Sequence, residues 1–319
     1  MNLVELLNTK NPGFGFEIKQ WLEIKKKLEI KDGVCVLNKL DHQVQNFSLQ
    51  WNIFQTTQFD SNTKLSLSED RLKKCSGWDL DKLKGKKILE IGSGAGRFTE
   101  IFNKYDAQLV TIDLSDAIFA NSKNNQNKNT LFLKGGFEDL LGLEGLFDYV
   151  FCYGVAQHVA RPLDVYKTCS LMAKEGGSIS IDHYIKVFYP SPFYQPKYFW
   201  RPITTRLDPN KLLTIIKKYI PWYIKFDTFL IKLIGSRQIS GLIRGCIPIP
   251  CWNYYGVKNI NQDSSNLIQW AIMDTFDALG ARYDYPISVN TLKKWGQTLN
   301  LKSYKIKKGS NGLVFNAIK

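Results

Sequence analysis

Glycines at 92, 94 and 96, with Ser93 between the first two and Glu90 just before them, follow the apolar run Ile88–Ile91 and lead into helical spacing near Arg97. A strand that breaks on glycine and resumes as a helix makes a loop for close ligand contact. Glycine turns sharply and offers no Cβ to obstruct, and the first amides of a helix lack partners inside it. A second strand, L-V-T-I-D at Leu109–Asp113, ends in a carboxylate 17 residues past Gly96 and is followed by Leu114. That is near the spacing at which an open α/β sheet offers an acid to ribose hydroxyls. His158 follows the strand-like F-D-Y-V-F-C-Y and His183 ends S-I-S-I-D-H, so both stand at the carboxyl ends of strands, where such sheets bind ligands. A neutral imidazole can take a proton from an alcohol near neutral pH, and it can equally fix a loop by hydrogen bonding. Both readings stay open for each histidine.

The dinucleotide fingerprint requires Gly or Ala where Arg97 stands. Glu90 followed by G-x-G-x-G resembles instead the first motif of class I S-adenosylmethionine-dependent methyltransferases. Thr130–Lys134 supplies a third strand, and Phe147–Pro162 resembles the fourth motif of that family, a strand opening onto H-x-x-x-P. Lys174–Asp182, K-E-G-G-S-I-S-I-D, resembles its fifth strand. The resemblance implies a Rossmann-like, seven-stranded, mostly parallel sheet with an antiparallel C-terminal hairpin, and S-adenosyl-L-methionine as cofactor. It implies that Glu90, Gly92, Ser93, Gly94, Gly96, Asp113, Leu114, Gly136, Phe137 and Tyr153 form the cofactor site. Asp113 would hold the ribose, and the Tyr153 ring would face the sulfonium as a cation–π partner. Many relatives carry Asp at the position of Gly136, where it meets the adenine amino group. Glycine cannot make that bond, so the contact passes to backbone amides, to stacking by Phe137, or to Glu138 or Asp139.

These elements need a frame. Residues 86–184 and 288–319 are expected to form the core, the latter through a helix at Val289–Leu299 and strands at Leu301–Ile306 and Leu313–Ile318. Residues 1–85 are expected to be a helical N-terminal extension, with Phe16, Ile18, Trp21, Leu22, Ile24, Leu28 and Ile30 along one amphipathic helix. In relatives such a pre-core segment closes over the methionine end of the cofactor, which makes Gln50, Trp51 and Thr57 candidates here. A helix after Pro162 should cover the sheet through Leu163, Val165, Tyr166, Cys169 and Leu171. The remaining stretch, 185–287, is expected to be a mostly helical substrate-recognition insertion. It includes a helix at Leu267–Leu279 with Ser264 and Ser265 as caps. The strings W-A-x-x-D-T-F-D (270–277) and R-Y-D-x-P (282–286) resemble those of bacterial methyltransferases of this architecture. Asp274 and Asp277 share a helical face and suit a hydrogen-bond network, with binding of substrate hydroxyls as the alternative.

Charge points to the acceptor's surroundings. The chain carries a net +14, and half of it lies between Arg201 and Arg244, where nine Lys or Arg face only Asp208 and Asp227. From Lys211 to Ile234 these cations interleave with bulky apolar residues at helical spacing, with a break expected at Pro221. That pattern suits an anionic membrane or a lipid-linked acceptor, and it also describes an ordinary helix with snorkelling lysines. Six cysteines without a C-x-x-C pair and three scattered histidines give no metal framework. No membrane span and no secretory pattern are read, so a cytoplasmic place, with peripheral membrane contact, is expected. The function expected is methyl transfer, at oxygen, to a small-molecule or lipid-linked glycan-type acceptor. A nucleic-acid methyltransferase is the alternative suggested by the basic stretch, although the fourth strand lacks the [D/N/S]-P-P-[Y/F] string common among base-amino methyltransferases. A non-catalytic cofactor-binding protein is the third reading.

Overall fold

In a computed structural model of the chain, residues 16–25, 28–38, 45–187, 196–236, 239, 249–252, 254 and 264–319 are described. Arg244, a second arginine of the basic stretch at 237, one of the six cysteines at 246, and the side chains of Phe16 and Ser264 lie outside the described residues. The chain divides into two compact units: residues 1–44, 58–186 and 283–319, and residues 45–57 with 187–282.

The first unit is built on a sheet. Its helices are α1 (Phe16–Ile24), α3 (Leu67–Ser76), α4 (Thr99–Lys104), α5 (Ala117–Asn124), α6 (Pro162–Met172) and α10 (Val289–Thr298). Its strands are β1 (Glu29–Lys31), β2 (Val34–Val36), β3 (Lys87–Ile91), β4 (Gln108–Asp113), β5 (Thr130–Lys134), β6 (Phe147–Cys152), β7 (Ala173–His183), β8 (Ser303–Gly309) and β9 (Gly312–Ile318). The strand order is β1-β2-β5-β4-β3-β6-β7-β9-β8. β2 to β7 pair in parallel, and β1, β8 and β9 run antiparallel to their neighbours. Parallel strands are covered on both faces, so β3, β4 and β5 read as nearly continuous apolar runs, and Ile88, Leu89, Leu109, Val110, Phe132 and Leu133 are all fully buried. From β3 the chain moves one way to β4 and β5 and then crosses to the other side for β6 and β7. The crevice between the carboxyl ends of β3 and β6 is therefore the switch point at which open sheets bind ligands.

The sheet has nine strands, not seven, because the N-terminal extension is not wholly helical. α1 stops at Ile24, and Ile30 lies in β1. Asp32 and Gly33, with φ of 49° and 77°, make the tight turn into β2. A D-G pair with positive φ at both positions is the turn whose twist suits a hairpin. α1 is anchored by buried Ile18, Trp21 and Leu22, and the Trp21 indole donates to the Leu141 carbonyl at 2.8 Å. In α6 the inward residue near the end is Met172, while Leu171 is exposed.

The second unit contains α2 (Gln45–Ile53), α7 (Pro196–Thr204), α8 (Pro209–Ile234) and α9 (Ser264–Gly280). Gln50, Trp51 and Thr57 thus group with the insertion by compactness. α9 packs against α8, α7 and α2. It begins at Ser264, so the two serines occupy its first turn instead of preceding it. Two of its last carbonyls are satisfied by Arg201, which donates to Ala278 O at 2.9 Å, and by Thr204, which donates to Leu279 O at 2.9 Å; Arg201 also donates to Ala281 O, just past the helix, at 2.6 Å. The carbonyls of Ala278 and Leu279 are among the acceptors a helix end leaves over. Asp274 accepts from the Tyr254 hydroxyl. α8 starts on Asp208, whose side chain caps Asn210 and Lys211, and ends on Gly235 at φ 69°. It runs through Pro221 unbroken. The apolar face buried on both sides of the proline, Leu213, Ile216, Ile220 and Ile224, offsets the hydrogen bond that the ring removes.

Candidate active site

The loop after β3 is held by three elements. Gly92 donates its backbone N–H to Ile112 O at 2.7 Å and Gly94 donates to Asp113 Oδ2 at 2.8 Å. Two asparagines of α5 and its end grip the other side. Asn121 donates to Ser93 Oγ, and Asn125 donates to Gly96 O at 3.0 Å. Gly96 sits at φ 101°, and a Cβ there would lie 2.1 Å from Asn121 Oδ1, so no other residue fits. At Gly92, φ 75°, a Cβ would lie 2.0 Å from Val155 Cγ2. The loops after β3 and β6 therefore touch across the switch point. Arg97, which departs from the dinucleotide fingerprint, ties the loop outward: Nε donates to Ser68 Oγ at 2.7 Å and NH1 to Gln58 Oε1 at 3.2 Å.

Asp113 stands at the end of β4 beside this loop. Its Oδ1 accepts from Ser115 N and Ser115 Oγ, and its Oδ2 accepts from Gly94. A carboxylate offers about four lone-pair sites, so capacity remains for a hydroxyl donor. Burial pushes the Asp113 pKa up, opposed by those donors and by Lys134. Leu114 follows it, half-buried. Glu90 is a different case. It is buried and accepts from Thr99 Oγ1 at 2.5 Å and Thr111 Oγ1 at 3.0 Å. Burial raises its pKa to about 7 against those hydrogen bonds, with the neighbouring Asp113 charge adding to the rise. Glu90 therefore welds α4 to β3 and β4 and supports the loop from beneath, not as a ligand contact.

The loop after β5 carries Gly136 and Phe137. Gly135 donates to Asp113 O at 3.0 Å, and Gly136 donates to Asp139 Oδ2 at 2.9 Å, so Asp139 serves as the cap of this turn. Glu138 is exposed, and its Oε2 lies 2.5 Å from where a Cβ at Gly136 would be. Its carboxylate thus fills the space that a side chain at 136 would enter. Phe137 is half-buried and packs on the main core.

Tyr153 does not face the crevice. It continues the side of β6 that carries Tyr149 and Phe151, its ring stacks on Phe151 at 4.2 Å, and its hydroxyl pairs with Ser180 at 2.8 Å. The Arg71 guanidinium already lies 5.6 Å over that ring, bonded at 2.5 Å to buried Asp182. Asp182 in turn accepts from Gly154 N at 2.6 Å, which fixes the start of the loop after β6.

The histidines separate. His183 has no exposure, and both its ring nitrogens are used: Nε2 donates to the Tyr285 carbonyl at 2.8 Å, so Nδ1 accepts from Tyr166 Oη at 3.1 Å. Burial lowers its pKa to about 4. A histidine held neutral on two internal partners is a structural pin, which overturns its candidacy as a base. His158 is half-buried, and Nδ1 lies 2.9 Å from the Tyr283 carbonyl. A carbonyl only accepts, so Nδ1 carries the hydrogen and Nε2 is the basic nitrogen.

Sequence reasoning missed two features. The segment 283–287 is strapped along the ends of β6 and β7: besides both histidine contacts, Tyr285 N donates to Gln157 O at 2.9 Å and Ile287 N to Tyr184 O at 2.9 Å. Gln157 itself is fully buried beside His158, and neither its Oε1 nor its Nε2 has a hydrogen-bond partner among the described residues. A buried amide that lacks partners carries a desolvation cost, so this side chain calls for a partner of its own. No cluster of metal-ligating side chains occurs among the described residues.

Residues 89–181 match the family model described as "Methyltransferase domain". The chain is 29% identical over 100 residues to a ubiquinone biosynthesis O-methyltransferase of Coxiella burnetii, covering 30% of this chain and 43% of that protein. It is 31% identical over 101 residues to the Methylococcus capsulatus protein of the same name, with 30% and 43% covered. The chain thus spans less than half the length of these relatives. Among solved structures it is similar to PKMT2 from Rickettsia typhi in complex with AdoHcy, at 14% identity and a TM-score of 0.44, covering 79% of this chain and 51% of that one. The glycine loop grips Asp113 at the switch point, inside the matched stretch. Residues 89–181 of the chain carry a methyltransferase domain.

Proposed function

We propose that the protein transfers a methyl group from S-adenosylmethionine to an oxygen atom of a small-molecule or lipid-linked acceptor. The observation that carries this reading is the close approach of the loops after β3 and β6 at Gly92 and Val155, with Gly94 bonded to Asp113 on one side and His158 three residues beyond Val155 on the other. When bound, the cofactor supplies an electrophilic methyl on sulfur that leaves as a neutral thioether, so the protein must mainly align the acceptor and exclude water. The cradle suits it: glycines keep Cβ atoms out of the loop, and Asp113 retains capacity for ribose hydroxyls. Glu138 takes the adenine amino group, because its carboxylate occupies the space left by Gly136. Gln157 orients polar groups of cofactor or acceptor with its unmatched amide. His158 Nε2 takes the acceptor's hydroxyl proton as the O–C bond forms, and the resulting imidazolium returns that proton to solvent. The Tyr283 carbonyl stabilises that cation while fixing the ring. The O-methyltransferase relatives support oxygen as the acceptor atom.

The test is incubation of the protein with methyl-labelled S-adenosylmethionine and fractionated cell extract, with mass spectrometry locating the new methyl. Label on a hydroxyl-derived oxygen in the small-molecule or lipid fraction is expected. Label on nitrogen or on nucleic acid would overturn the acceptor assignment.

A further inference from the structure

We propose that α8 is the face by which this protein docks on an anionic membrane surface. One side of α8 is committed to its own unit: Leu212, Leu213, Ile216, Ile220, Tyr223 and Ile224 are buried. The opposite side should be polar in a helix that simply faces water. Instead Ile215, Trp222 and Phe229 follow one another at seven-residue spacing and are 51%, 60% and 60% exposed, with Leu233 at 69%. Seven residues are about 20° short of two turns, so these side chains form one nearly straight exposed stripe. Trp222 stacks on Phe226 at 5.6 Å and 2° between planes, which extends the stripe sideways.

The charges are aligned with it. Lys211, Lys218, Lys225 and Lys232 repeat at the same seven-residue interval and are all exposed, flanking the apolar stripe along its length. The single acidic residue within the helix, Asp227, is fully buried on the other side. The exposed face therefore presents apolar anchors and cations with no carboxylate of its own among them. That combination fits the headgroup boundary of an anionic bilayer, where a tryptophan ring sits well and lysines meet lipid phosphates or carboxylates. No helix among the described residues is long and apolar enough to cross a membrane, so the contact is peripheral. The inference stands independently of methyl transfer, since it uses no residue of the crevice.

Co-sedimentation of the whole protein with vesicles tests it, comparing neutral phosphatidylcholine with the same lipid containing phosphatidylglycerol. The wild type should pellet with the anionic vesicles and be released by high salt. Lys218→Gln with Lys225→Gln should weaken binding roughly tenfold or more, at a few-fold per charge. Trp222→Ser with Phe229→Ser should abolish it. All four side chains are exposed, so thermal melting should be unchanged and separates docking from folding. Absence of pelleting in the wild type would overturn the proposal, as would equal binding to neutral and anionic lipid. Self-association through the stripe, or retention on RNA without vesicle binding, would overturn it as well.

Discussion

Replacing Glu90 by Gln should stabilise the protein at pH 8 and flatten its pH dependence. Glu90 is buried, and its pKa is raised from 4.5 to about 7. A carboxyl whose folded pKa lies above its unfolded value contributes most favourably below pH 4.5. That contribution falls as the pH rises and is lost through pH 7. Each pH unit in that window removes about 1.4 kcal/mol, so the cost at pH 8 is about 3 kcal/mol. Glutamine keeps an oxygen for the Thr99 and Thr111 hydroxyls, 2.5 and 3.0 Å away in the wild type, and has no charge to bury. The assay is urea unfolding of both proteins at pH 5 and pH 8. His183 acts with the opposite sign in part of the same window, so the quantity to read is the difference between variant and wild type. That difference should rise in the variant's favour by about 3 kcal/mol from pH 5 to pH 8. A variant less stable than the wild type by the same amount at both pH values would show that Glu90 is ionised in place without penalty, and the buried weld described here would be wrong.

His158→Ala should lower turnover by about 10²- to 10⁴-fold with cofactor affinity nearly kept, as measured by steady-state kinetics and calorimetry; normal turnover would remove it as the base. For His183, whose pKa is lowered to about 4, the wild type should lose stability as the pH falls from 6.5 through 4. His183→Gln should lack that loss in the same unfolding series. Glu138→Gln should weaken S-adenosylhomocysteine but not an analogue lacking the 6-amino group, and equal weakening of both ligands would place the adenine contact elsewhere.

What could be read from the sequence was whatever a single strand or loop encodes by itself. The runs Ile88–Ile91, Leu109–Asp113 and Thr130–Lys134, and the glycines that must sit at positive φ, needed no partner to be recognised. Period-two alternation also carried two signals that were not used. Tyr153 follows Tyr149 and Phe151 onto one face of β6, and His183 follows Ile179 and Ile181 into the main core. The β1–β2 hairpin was hidden because each strand has three residues, too few for a period, and Leu28 and Ile30 happened to continue the helical spacing. Its Asp32-Gly33 turn was the available clue. The clamp of Asn121 and Asn125 on the glycine loop and the strapping of 283–287 across β6 and β7 join residues far apart in sequence, so no local pattern announces them. Gln157 is legible only through what it lacks, which requires every neighbour's hydrogen bonds to be known.

In the proposed function the cofactor lies against the loop at 92–97 with its ribose on Asp113. Calorimetric titration of S-adenosylhomocysteine into the wild type and Asp113→Ala, with NAD as the competing ligand, tests that most directly. Charge-assisted bonds to the ribose are worth about 1.5–3 kcal/mol, so the variant should bind about ten- to a hundredfold more weakly, and NAD should give no heat with either protein. Binding of NAD in place of S-adenosylhomocysteine, or an affinity unchanged by loss of the Asp113 carboxylate, would contradict it.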